Sequence, residues 1–174
     1  NPSPVVDLGP DVTLCTGQTL TLNVAQPGAS YGWQNGSTSP TFTVNAPGTY
    51  SVNVFLNGCV SNDAIDVAYN TTPTVNLGPD VTICAGATTT FNATTPGATY
   101  LWNTGATTPT LTTGTAGPYN VAVTVNGCTG TDAANVAVTP LPVFDLGPDQ
   151  TVCPGTAVTL NATVPGGSYA WSTG

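Results

Sequence analysis

The cysteines and aspartates are the side chains of this sequence with the most chemistry to offer, and many of them recur on a fixed interval. Cys15, Cys84 and Cys153 are spaced by 69 residues, and so are Cys59 and Cys128. A thiol can act as a nucleophile, a metal ligand or half of a disulfide, and a carboxylate can move a proton or hold Ca²⁺. The groups that would have to work beside them are missing: the chain has no His, Lys, Arg or Glu, and its eight acidic residues are all Asp. With no partner to serve as base, acid or oxyanion donor, the numerous Ser and Thr hydroxyls stay unactivated. The sequence therefore predicts no enzyme, no catalytic residue and no cofactor-binding residue. Zinc ligation by the cysteines is disfavoured, since neither His nor a C-x-x-C pair is present.

The interval belongs to the whole chain. LGPDVTLC (8–15) returns as LGPDVTIC (77–84) and LGPDQTVC (146–153); Tyr31 and Trp33 return as Tyr100 and Trp102, then as Tyr169 and Trp171. This is a tandem array with copies at 1–70 and 71–139 and the N-terminal part of a third at 140–174. The period predicts that the third copy is completed by further residues, supplied by a continuing polypeptide or by strands donated from a neighbouring molecule. The net charge is −8 without a single cation, so nucleic acid and anionic membrane surfaces are unsuitable partners, which need Lys or Arg. Although charge is sparse, 40% of residues are hydrophobic and alternate with polar ones, the pattern of folded strands rather than disorder. No run approaches the ~20 apolar residues of a membrane span, and no signal-like N-terminus is present.

Alternation and turn residues place the strands of the first copy. VVDL (5–8) and VTL (12–14) flank a Gly-Pro-Asp turn, followed by TLTLNV (19–24), SYGWQ (30–34), TFTV (41–44) and TYSVNVFL (49–56). Asn57-Gly58 forms a tight hairpin into a last strand near 63–68. About seven short strands and no helical periodicity predict an all-β tandem array of small antiparallel β-sandwiches of immunoglobulin-like type.

The stretches LGPDVTLC-x-GQTLTLN, PGASYGWQNGSTSPTFTV and PGTYSVNVFLNGC resemble the PKD-like, immunoglobulin-like repeats of very large surface proteins secreted by gliding and related Bacteroidetes-type bacteria. The second copy departs from the pattern at Gly117-Pro118-Tyr119, and the acidic W-D-F-G-D-G signature of standard PKD domains is absent. What the resemblance implies is an extracellular stalk, adhesin or filament, secreted or held at the cell surface.

For an exported sandwich, the repeat predicts one disulfide in each copy. Cys15 is expected to pair with Cys59 and Cys84 with Cys128, leaving Cys153 with a partner beyond Gly174. Trp33 and Tyr31 could form a sugar-binding platform, but a tryptophan on the third strand of such a sandwich fills the core, and that role is expected here. Ca²⁺ at the repeat junctions is the one cofactor the aspartates could support. Comparison of the copies weakens it: Asp7 becomes Asn76 and Asp66 becomes Asn135. Asp11 and Asp63 persist as Asp80 and Asp132 but should fall at opposite ends of their strands. Asp11 is better read as a turn residue bonded to nearby backbone N–H groups. Sequons at Asn35, Asn70, Asn92 and Asn161 mark candidate glycosylation sites.

Two function classes follow. One is a structural element, a filament or stalk of rigid head-to-tail repeats whose partners are other repeats of the chain or neighbouring copies, with glycans attached. The other is a carbohydrate- or surface-binding module of an adhesin. The short linkers Asn70-Thr71-Thr72-Pro73 and Thr139-Pro140-Leu141-Pro142, and copies whose loops differ little, GSTSPT against GATTPT, favour the first.

Overall fold

The computed structural model describes residues 3–172; Asn1, Pro2, Thr173 and Gly174, the outermost positions of the first and third copies, lie outside the described residues. Each of the first two copies contributes six strands. In the first they are β1 (Val12–Cys15), β2 (Leu20–Asn23), β3 (Ser30–Trp33), β4 (Thr41–Val44), β5 (Gly48–Leu56) and β6 (Cys59–Asn70). In the second they are β7 (Val81–Cys84), β8 (Thr89–Asn92), β9 (Thr99–Trp102), β10 (Thr110–Thr113), β11 (Gly117–Val125) and β12 (Cys128–Thr139). The four-stranded sheet β1-β6-β5-β3 faces the pair β2-β4, and β7-β12-β11-β9 likewise faces β8-β10. This is the two-sheet immunoglobulin-like sandwich, built twice in tandem. No helix among the described residues is long and apolar enough to cross a membrane.

Three features differ from the sequence expectation. The sandwich is not wholly antiparallel, because β1 runs parallel to β6 and β7 parallel to β12. The VVDL run forms no strand; it lies beside Asn23 to Gln26, with the Gln26 amide donating to the Val5 carbonyl. The last strand does not begin near Asp63. The two-residue turn at Asn57-Gly58 brings Leu56 directly opposite Cys59, so pairing with β5 starts at the turn and runs to Val67, and β1 pairs with the remainder of the 12-residue strand.

Alternation supplies both cores. Leu22, Trp33, Val44, Val52, Val54, Ile65 and Val67 fill the first, with Tyr31, Phe42 and Tyr50 packed against them; the second repeats the pattern around Phe91, Trp102, Val121, Val123 and Val136. Trp33 and Trp102 are 3% and 1% exposed, so in both complete copies the indole is core and not a sugar platform. Each indole N–H donates to a loop carbonyl, that of Ser39 or Thr108, at 2.8 Å. Tyr50 donates to the carbonyl of Ala46, and Tyr119 to that of Thr115; each corner is thereby tied four residues back. The copies also exchange volume: the cross-strand pair Leu22 and Phe42 becomes Phe91 and Leu111, which moves the ring to the other strand while preserving the pair's bulk.

The repeated LGPD octapeptide is the point at which the chain passes from the neighbourhood of β2 to the edge of β6. Gly9 and Gly78 both take φ of +82°, a conformation that side chains bearing a Cβ rarely adopt. Two carboxylates hold the kink across 55 residues of sequence. Asp63 accepts the Leu8 N–H at 2.7 Å, while Asp11 accepts the Asp66 N–H at 2.9 Å; Asp132 with Leu77 and Asp80 with Asn135 repeat both bonds. Asp11 and Asp63 therefore do not sit at opposite ends of their strands, as the expected cysteine pairing had implied, and the principal bond of Asp11 is long-range rather than local. Asp7 and Asn76 each accept the N–H two residues ahead at 2.8 Å, a task either an acid or an amide performs, so that substitution preserves the turn.

In residues 140–172 no strand forms. Phe144, Leu146, Tyr169 and Trp171 are exposed, Trp171 by 49%, where their counterparts in the second copy build a core.

Replacing Asp132 by Ala strips the partly buried Leu77 N–H of its acceptor. The expected cost is ~1–3 kcal/mol, read as a lower denaturation midpoint for the second repeat.

Candidate functional site, the junction between repeats

The disulfide of this structure joins the two repeats. Cys15 bonds to Cys128, with Cα atoms 5.6 Å apart and 113 residues of sequence between them. Cys59, Cys84 and Cys153 are free thiols. The expected bonds Cys15–Cys59 and Cys84–Cys128 are thus both replaced, and strand geometry gives the reason. Cys15 lies opposite Asn70, the last residue of β6, whereas Cys59 is the first. Eleven residue steps of ~3.3 Å separate those ends by about 36 Å, and a disulfide tolerates Cα separations of only ~7 Å. The same holds for Cys84, which lies opposite Thr139 at the far end of β12 from Cys128.

What Cys15 does reach is the near end of the next sandwich. The linker leaves β6 at Asn70 and passes beside β12, where the β11–β12 hairpin turns through Asn126 and Gly127. The Asn70 side-chain amide donates to the Asn126 carbonyl at 2.8 Å. Thr16 caps the end of β6, its backbone N–H donating to the Asn70 carbonyl at 2.9 Å. At Gly130 the linker comes so close that a Cβ there would stand 1.9 Å from the Pro73 carbonyl oxygen. The junction is thus held by one covalent bond, one side-chain hydrogen bond and a close backbone contact, with Cys128 1% exposed.

The sequons divide on the same geometry. Asn35, Asn92 and Asn161 are exposed, and in each the side-chain oxygen accepts the backbone N–H two residues on, at 2.9–3.0 Å, which leaves the amide nitrogen outward. Asn70 differs, because its amide nitrogen is engaged by Asn126. Sequence reasoning missed this role of Asn70, and the only signal lay in the identical spacing of two cysteine series whose pairing partners could equally be counted between copies as within them.

No family model matches the chain, and no curated protein matches it. Among solved structures it is similar to a chimeric titin Z1Z2-Z1Z2 tandem at 18% identity, covering 75% of this chain and 95% of that one, with a TM-score of 0.35. It is also similar to an I-band fragment of titin at 12% identity, covering 75% and 63%, with a TM-score of 0.39. The N-terminal four Ig domains of Dscam1 match at 14% identity, covering 79% and 46%, with a TM-score of 0.33. These likenesses are too loose to carry an argument about function.

Peptide mapping without reduction should recover Cys15 joined to Cys128, and Cys15→Ser should leave the β-sheet spectrum in place while broadening the range of inter-repeat distances seen by scattering. Gly130→Ala should displace the linker and lower the stability of the second repeat by ~1–3 kcal/mol, the usual size of an overpacking penalty.

Proposed function

We propose that this chain is a structural shaft element of an extracellular filament or adhesin stalk, in which immunoglobulin-like sandwiches follow one another end to end and are locked at their joints. The observation that carries this reading is the bond from Cys15 to Cys128, because it spends the only disulfide on the joint rather than on either core. A binding module needs its loops free, whereas a shaft needs successive domains kept in register. A disulfide joint suits the oxidising space outside the cytosol. The aromatic pair that might have offered a sugar platform is committed to the core in both complete copies.

Glycans at Asn35, Asn92 and Asn161 belong to the same proposal, supplying a solubilising coat to a surface that carries few charges. Asn70 is excluded from it by its engagement at the joint. The native protein analysed by mass spectrometry should carry added sugar mass on peptides containing the three exposed sequons and none on the peptide containing Asn70.

The shaft reading is tested by small-angle scattering of the oxidised chain. The two sandwiches should give centres separated by one repeat rise of ~35 Å, set by strand length at ~3.3 Å per residue. Side-by-side packing of the two repeats, or a distance distribution as broad when oxidised as when reduced, would overturn it.

A further inference from the structure

Three Asn-Gly pairs occur in the chain, at Asn35-Gly36, Asn57-Gly58 and Asn126-Gly127. An asparagine followed by glycine is open to attack on its own side chain, because no Cβ on the next residue shields the backbone nitrogen that lies within ring-closing reach of the amide carbon. The fold treats the three pairs differently. At Asn35 both reacting groups are engaged: the side-chain oxygen accepts the Ser37 N–H at 3.0 Å, and the Gly36 N–H donates to the Trp33 carbonyl at 2.8 Å. At Asn126-Gly127, the turn between β11 and β12, both residues are exposed. Among the described residues neither the Asn126 side chain nor the Gly127 N–H takes part in a hydrogen bond. A Cβ built on Gly127 would meet nothing within 4 Å, so the approach to its nitrogen is open. Asn57-Gly58 has the same backbone, with φ of 52° and 83° against 48° and 82°. Asn126 also belongs to the joint. Its carbonyl accepts the Asn70 amide at 2.8 Å, the Gly127 carbonyl lies 3.9 Å from the Cys15 sulfur, and Cys128 follows at once.

We propose that Asn126 is a self-modification site, at which the joint converts its own asparagine to isoaspartate and is loosened by the product. Base removes the Gly127 N–H proton, and the nitrogen attacks the carbonyl carbon of the Asn126 side chain. The bond from that carbon to the side-chain nitrogen breaks, ammonia leaves, and a five-membered succinimide closes. Water then adds to the former main-chain carbonyl and breaks its bond to the Gly127 nitrogen. A free carboxylate remains there, while the chain now runs through the side-chain carbons. One water is consumed and one ammonia released, with no oxidant or reductant. The product changes the joint in two ways. The backbone of the two-residue turn is longer by one methylene, which disturbs the pairing of Val125 with Cys128 and so the position of the sulfur that meets Cys15. The Asn70 amide also loses its peptide acceptor, and the new negative charge finds no Lys, Arg or His to pair with. This chemistry belongs to the joint itself and does not depend on the shaft reading.

For the test, the full-length chain is made in a host that adds no glycans, and peptide mapping verifies Cys15 joined to Cys128. It is aged in mildly alkaline buffer, sampled over time and digested with pepsin in acid, since trypsin finds no Lys or Arg to cut after. Isoaspartate is located by enzymatic methylation of its carboxylate and by fragmentation mass spectrometry. The peptides containing Asn126 and Asn57 should accumulate it at least ~10-fold faster than the peptide containing Asn35, where two hydrogen bonds must open before the ring can close. Equal rates at all three pairs, or an Asn126 left intact while Asn57 converts, would overturn the proposal. Loosening is read by reduction. Across a graded series of glutathione redox buffers, the aged chain should lose the Cys15–Cys128 bond at a several-fold lower ratio of reduced to oxidised glutathione than the fresh chain. Asn126→Gly is the control: it suits the same turn and keeps the backbone carbonyl that Asn70 uses, but has no side chain to cyclise. Aged in parallel, this variant should hold its joint as firmly as when fresh. The loosening is refuted if the variant weakens as much as the parent, or if ageing leaves the parent's joint unchanged.

Discussion

The parallel pairing of β1 with the far half of β6 is the constraint from which the joint follows. A strand of 12 residues is long for so small a sandwich, and it carries the second cysteine of the repeat at its beginning. The first cysteine belongs to a short strand held against its end. Once that register is set, no bond can close within a copy, and the two cysteines of each complete repeat lie at its opposite ends. The LGPD kink sets the register in turn. Its glycine lets the backbone turn with positive φ, and the reciprocal carboxylate bonds of Asp63 and Asp11 determine where along β6 the chain lands. The octapeptide recurs because it is the device that delivers a cysteine to the distal end of every sandwich.

Neither sandwich uses a disulfide to hold its sheets together. The positions facing across the layers are apolar, with Val52 and Leu22 of the first repeat in the cluster that surrounds Trp33. The exchange of Leu22 and Phe42 for Phe91 and Leu111 shows that each core is tuned as a unit, because either change alone would leave a void or an overlap. The third copy supplies the contrast. Its Phe144, Leu146, Tyr169 and Trp171 are exposed around a shared hollow, where Leu77 and Trp102 of the second repeat are buried.

Much of the fold was legible because it depends on local rules. Period-two alternation located β2 to β5, Asn57-Gly58 announced the hairpin, and the aromatic at Trp33 behaved as a third-strand core residue. The joint was illegible because pairing partners and strand direction are not local. Cys15 is separated by 44 residues from Cys59 and by 113 from Cys128, and loop-closure entropy favours the shorter loop only slightly, so spacing alone could not choose between them. The decisive quantity was the length of β6, hidden because Val60 to Asn62 lie between the turn and the evident hydrophobic run. Asp63 and Asp11 were misplaced for the same reason, their positions having been deduced from the wrong pairing.

The same bond alters how the chain bears load. Tension applied at the two ends of this polypeptide runs into β1, crosses the sulfurs, and leaves through β12, so the strands from β2 to β11 stand outside the line of force. Were they to unravel, they still could not lengthen the molecule. At ~3.4 Å per extended residue, the 113-residue separation keeps about 380 Å of potential slack out of reach. An array of plain sandwiches would yield as a spring does, one unfolding event at a time; this pair behaves as two links of a chain, which transmit load without lengthening.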